Sequence, residues 1–156
     1  MAKSTPAADV AVSLDKTDLH LLRLLQQDAR STVKELAQKV GLSTTPVHQR
    51  IQRLERSGVI KGYTITVDNE KLGKGLMVIV YLSLRQHSKG AGNQFIKAIG
   101  AMPQVVECLT ISGQFDFMLK VVAASMEDYY NFHVQQLGQL ENVGNIQSVF
   151  VMGVVK

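Results

Sequence analysis

The sequence predicts an α+β chain of two domains, an N-terminal three-helix helix-turn-helix bundle (winged-helix-like) and a C-terminal ferredoxin-like β-α-β-β-α-β domain. Three observations predict it. Apolar residues recur at helical spacing, with caps and short connections, from Leu14 to Ser57. After Gly58 the apolar pattern alternates as a strand would. From Met77 onward, six segments follow in the split β-α-β order.

Composition agrees and excludes several classes. At 156 residues and 46% hydrophobic content the chain is long enough to bury a real core, in one domain or two small ones. The net charge of +4 is uneven: residues 1–66 hold ten Lys and Arg against six Asp and Glu, and residues 67–156 hold seven of each. The half that faces a polyanion is therefore the N-terminal one. Cys108 is the single cysteine, which excludes an internal disulfide, and it has no Cys or His at metal-ligand spacing, so no metal is expected. The N-terminus lacks a signal-type apolar stretch and runs such as Leu76 to Leu82 are too short for a bilayer, so a cytoplasmic protein without membrane contact is expected. His20, His48, His87 and His133 are dispersed, no nucleophilic grouping can be argued from spacing, and Gly73-Lys74-Gly75 is not followed by the Ser or Thr of a phosphate loop. No catalytic residues and no cofactor are expected.

Taken in order, residues 1–13 read as a loose arm. Asp15 N-caps a helix carrying Leu21, Leu22, Leu24 and Leu25. Thr32 and Glu35 form a capping box for a second helix with Leu36, Ala37 and Val40 inward, and Gly41 supplies the positive φ that ends it. A third helix is predicted with Thr45 as N-cap and Pro46 at its first position, burying Val47, Ile51 and Leu54. At 100° per residue, His48, Gln49, Gln52, Arg53 and Arg56 lie opposite Val47. That face matches base edges and phosphates of double-stranded DNA: Gln49 and Gln52 as base readers, Thr44, Arg50 and Arg53 as phosphate contacts, with Thr45 and His48 completing the set. The bland alternative is a solvated polar face. The close-approach spacing of Ala37, Gly41 and Val47 and the Thr-Thr-Pro entry favour the recognition helix.

The helical domain is placed at 14–59 and a connecting strand and linker at 60–76, where Val59 to Val67 alternates and needs a wing, the second domain or a partner chain to pair with. In the domain at 77–156, Met77 to Leu84 is the first strand and Asn93 caps a helix with Phe95, Ile96, Ile99 and Met102 on one face. Val105 to Ser112 and Phe115 to Ala123 form a hairpin turning at Gly113-Gln114. Ser125 and Asp128 box a helix with Tyr129, Phe132, Leu137 and Leu140 inward, and Val143 to Val155 is the last strand. Val78, Val80, Leu119, Val121, Val149 and Val151 come from strands that look apolar on both faces, which predicts burial against another subunit, a homodimer at least.

Three stretches carry a resemblance: Leu14-Asp15-Lys16-Thr17-Asp18 with Leu24-Leu25-Gln26-Gln27-Asp28-Ala29-Arg30, then Leu54 to Tyr63, and Ser112-Gly113-Gln114-Phe115-Asp116-Phe117. On these the chain resembles, over residues 14–155, the Lrp/AsnC (leucine-responsive, feast/famine) family of transcription factors. The resemblance implies an N-terminal DNA-binding domain and a C-terminal domain that dimerises, assembles further, commonly to octamers, and senses a small molecule, usually an amino acid. It places Gly113 and Asp116 on the Gly-x-x-Asp motif of the family's effector cleft between dimers, with Gln114 and Ser148 beside them. Asp116 read from spacing alone would be an ordinary turn residue. Two departures concern operator and effector: Val47, His48 and Gln49 follow Thr-Pro where the family often has bulky or basic residues, and the last strand has Ile146 and Ser148 where it often carries two threonines. An architectural DNA-coating protein without an effector, or a regulatory subunit of an enzyme, are the other classes considered.

Overall fold

The computed structural model describes residues 13–155, so the reading of residues 1–13 as an arm lies, but for Ser13, outside the described residues. The chain divides between Thr66 and Val67 into two compact units.

The first unit is three helices, α1 (Lys16–Gln27), α2 (Val33–Val40) and α3 (Thr44–Arg56). Asp15 caps α1 in a full box with Asp18, and Thr32 caps α2 in a full box with Glu35. Gly41 closes α2 in the left-handed region at φ 70°, where a Cβ would be strained. The helices meet on Leu21, Leu36, Ala37, Val47 and Ile51. The start of α3 differs from expectation: Ser43 is the N-cap and Pro46 is the third helical residue. The first N–H groups of a helix have no intrahelical acceptor, so proline is tolerated throughout that turn. The expected strand at 59–67 does not form within the described residues; the chain bends at Val59 and Ile60 and has no regular structure from 61 to 67, with Ile65 80% exposed, because a strand needs a ladder partner and this chain provides none.

The second unit is a four-stranded antiparallel sheet in the order β2-β3-β1-β4, built from β1 (Leu76–Leu84), β2 (Val105–Thr110), β3 (Phe117–Ala123) and β4 (Val143–Phe150). Helices α4 (Lys89–Gly100) and α5 (Met126–Gln135), with a 3₁₀ turn at Leu137–Gln139, cover one face. That face holds the core of Val78, Val80, Leu82, Leu119, Val121, Phe95, Ile99, Phe132 and Leu137. Four of the valines and leucines expected to mark a second apolar face therefore point at the helices. The face away from them carries Ile79, Tyr81, Leu109, Met118 and Val149, as the register requires.

Local corrections have local causes. Helix α4 starts at Lys89, capped by Ser88 (Oγ accepting the Ala91 N–H at 3.2 Å), not at Asn93; the anchors Phe95 and Ile99 outweigh the entropic cost of Gly90 and Gly92, while Ile96 stays exposed. Asp128 spends its carboxylate on the Ala124 N–H at 2.9 Å, so the box expected with Ser125 is half formed. Strand β4 ends at Phe150, not Val155; the Val151 N–H still donates to the Met77 carbonyl at 3.0 Å, and beyond that β1, which starts at Leu76, has no further length to pair with.

Candidate nucleic-acid interface and ligand-binding region

The helical stripe of α1 brings Asp18 into register with Leu21, and the Asp18 side chain is fully buried. A buried carboxylate needs partners. It accepts from the Asp15 N–H at 3.0 Å, from Arg50 at 2.7 Å and from Arg53. Arg50 also reaches Asp15 at 2.5 Å. Burial pushes the Asp18 carboxyl upward, but the Asp15 amide and the two guanidinium groups outweigh it and hold the group below its ordinary range. The same bonds, to Asp18 first and Asp15 second, raise Arg50. This clasp ties the third helix to the start of the first.

The clasp sorts the predicted DNA contacts. Arg50, expected on phosphate, is only 28% exposed and its bonded nitrogen serves two carboxylates, so its place is structural. Arg53 remains 49% exposed and has further guanidinium N–H groups besides the one given to Asp18. Thr44, Thr45, His48 and Gln49 are exposed on the outer face, and Gln52 is half-buried. Gln52 Nε2 donates to His48 Nε2 at 3.0 Å, which puts the His48 proton on Nδ1 and couples the two side chains across one helical turn. Tyr63 gives its hydroxyl to Glu55 at 2.8 Å, taking the margin acid of α3 off the polar face.

In the second unit the segment 111–116 is a longer loop, not the expected two-residue hairpin. Ile111 donates to the Asp116 carbonyl at 2.9 Å, and Gly113 turns at φ 128°. The cause is Asp116, which is drawn to β1: its N–H donates to the Leu82 carbonyl at 2.9 Å and its carboxylate accepts the Leu84 N–H at 2.7 Å. His87 Nε2 lies 3.1 Å from both carboxylate oxygens and must carry the proton, since a carboxylate only accepts. Gly113 and Gln114 are exposed beside them.

Comparison with known proteins places both units. Residues 77–156 match the Lrp/AsnC ligand binding domain and residues 14–61 match a winged helix-turn-helix DNA-binding domain. The chain belongs to the Lrp/AsnC family. It is 35% identical to the Bacillus subtilis transcriptional regulator AzlB over 147 residues, 94% of each chain. Against the leucine-responsive regulatory protein of Escherichia coli it is 35% identical over 155 residues, 99% of this chain and 92% of that one. A Neisseria meningitidis transcriptional regulator solved as its complex with L-methionine superposes with a TM-score of 0.87 at 30% identity, covering 92% of this chain and 93% of that one.

In this Lrp/AsnC chain, Gly113, Gln114 and Asp116 come together on one loop, but Ser148 does not join them. It lies on the helix-facing side of β4, opposite Val80, and its hydroxyl is paired with Tyr129 at 2.5 Å. Two residues that sequence reasoning passed over matter here. Asp18 carried a signal, because it lies on the same helical stripe as Leu21, Leu22 and Leu25, where a carboxylate demands a cation. His87 carried none, being 29 positions from Asp116. Among the described residues no group of three metal-ligating side chains occurs and no helix is long and apolar enough to cross a membrane. The family is one of transcriptional regulators, not enzymes.

Proposed function

We propose that this chain is a sequence-specific DNA-binding regulator of transcription that works as a homodimer or a larger assembly of dimers, and whose C-terminal domain senses an amino acid. The observation that carries the reading is the outer face of α3, where Thr45, His48 and Gln49 are exposed with Gln52 half-buried beside them, while Arg50 and Arg53 tie the helix to Asp18 of α1. A recognition helix has to be rigid and polar at once, and the clasp makes it so. Thr44 and the free edge of Arg53 hold phosphates; Gln49 and Gln52 read base edges. Replacing Gln49 with alanine is expected to cost roughly 1–3 kcal/mol against the preferred operator and much less against other sequences. Equal loss on all sequences, measured at several salt concentrations, would refute base readout by Gln49.

The sensing half rests on the Gly113 loop. An α-amino acid offers an ammonium and a carboxylate, and the loop offers the Asp116 carboxylate beside free backbone N–H groups. The ligand's ammonium has to share Asp116 with His87. Calorimetry over a panel of amino acids is expected to find a ligand whose binding weakens about tenfold or more in Asp116→Ala, and is lost in Gly113→Val, where a β-branched residue is strained at positive φ. If no amino acid binds the wild-type protein, the sensor reading fails and the architectural one replaces it.

A further inference from the structure

A groove of about 560 Å³ runs between α4 and the turn that leads into β4, and it shares no lining residue with the Gly113 loop. The small side chains of Ala91 and Ala98 leave it open, and Phe95 and Val143 form its buried floor. Its outer wall, Leu140 and Glu141, is held in place by Asn142, which accepts the Gln86 N–H at 2.9 Å, returns its own amide N–H to the Gln86 carbonyl at 3.0 Å, and accepts the Arg85 N–H on its backbone carbonyl at 2.9 Å. A volume in this range, with an apolar floor and a few polar groups at the rim, is what small ligands occupy.

The rim chemistry selects the ligand. Glu141 is the one lining residue with a formal charge, and no lining residue is cationic. Gln139 gives one of its two amide N–H groups to the Val134 carbonyl at 3.2 Å, and its side-chain carbonyl oxygen joins the Glu141 carboxylate as an acceptor at the rim. We propose that this groove binds a small organic cation with an apolar body, of the class of short branched primary amines. The ammonium meets the Glu141 carboxylate and the Gln139 carbonyl oxygen while the hydrocarbon lies on Phe95 between Ala91 and Ala98. A free carboxylate on the ligand finds no positive partner here, which sets the groove's preference apart from that of the loop. The site does not depend on the sensing reading.

The probe is 3-methylbutylamine, titrated calorimetrically into the full-length protein, with leucine run in parallel. The amine is expected to bind the wild type and Gly113→Val alike, to bind Glu141→Gln about tenfold or more weakly, and not to bind Ala98→Phe, whose ring fills the groove. Glu141 is an exposed position, so its variant keeps the test decisive even if Ala98→Phe folds poorly. An amine that gives no binding heat with the wild type, or binds Glu141→Gln as well as the wild type, overturns the proposal. Leucine binding that is lost in Gly113→Val and kept in Glu141→Gln belongs to the loop, so the two readings fail separately.

Discussion

Replacing Asp18 with alanine is expected to loosen the whole helical unit, by about 2–3 kcal/mol, and to weaken binding to every DNA sequence. The carboxylate is fully buried and serves three donors, the Asp15 N–H, Arg50 and Arg53. The loss is smaller than for a wholly buried pair because both guanidinium groups are partly exposed and rehydrate when the acid is gone. It is still a large share of a typical domain's stability of about 5–15 kcal/mol. Hydrogen exchange of the α1 and α3 amides is the measurement, and unchanged protection in Asp18→Ala would show that the clasp contributes nothing. The acid dependence follows from the same geometry. Because Asp18 is held below its ordinary value when folded, its stabilisation is complete above the unfolded value of about 3.9 and is lost as the pH falls from there through the folded one. Asp18→Ala should therefore remove part of the acid limb of the wild-type stability profile.

Aspartate placed on the open face of the sheet, in the double variant Leu109→Asp with Val149→Asp, is expected to give a monomer and to cost about a hundredfold or more in DNA affinity. Leu109 lies opposite Met118 and Val149 opposite Ile79, both on the side away from α4 and α5. They are 42% and 43% exposed, so the substitutions leave the core of the unit intact and should change its own melting little. Two buried carboxylates in each of two facing copies are incompatible with a close apolar contact. A dimeric recognition unit loses its second helix, and with it the gain from simultaneous engagement of two half-sites about one helical turn, or a multiple of it, apart. Light scattering at micromolar concentration checks the first step. A variant that keeps the mass of the wild type would place the contact between copies elsewhere.

Much of the chain was legible before any coordinates. The N-cap at Asp15, the capping box at Thr32, the stop at Gly41 and the buried stripe of Val47, Ile51 and Leu54 all stand where the sequence placed them. Each rests on contacts between residues at most a turn or two apart, which spacing encodes directly. The order of strands and helices in the second unit was readable for the same reason, since Val78, Val80 and Leu82 alternate and Phe95 and Ile99 repeat at helical spacing. The errors lie at ends and connections. Pro46 and Asn93 mark helix starts in the sequence, yet Pro46 is tolerated at the third position of α3 and α4 begins four residues before Asn93.

By itself the sequence determined the two-domain plan, the helix-turn-helix with its polar outer face, and the ferredoxin-like order of elements, because local periodicity and capping chemistry are enough for these. Only the tertiary structure decided what the charged side chains do. Arg50 and Arg53 meet Asp18 across more than thirty residues, Asp116 meets Leu84 and His87 across about as many, and Ser148 is claimed by Tyr129. A carboxylate, a guanidinium or a hydroxyl can satisfy itself with many partners of equal chemistry. Which one it gets depends on which chain segments packing has brought within hydrogen-bond reach, and no short-range pattern records that choice.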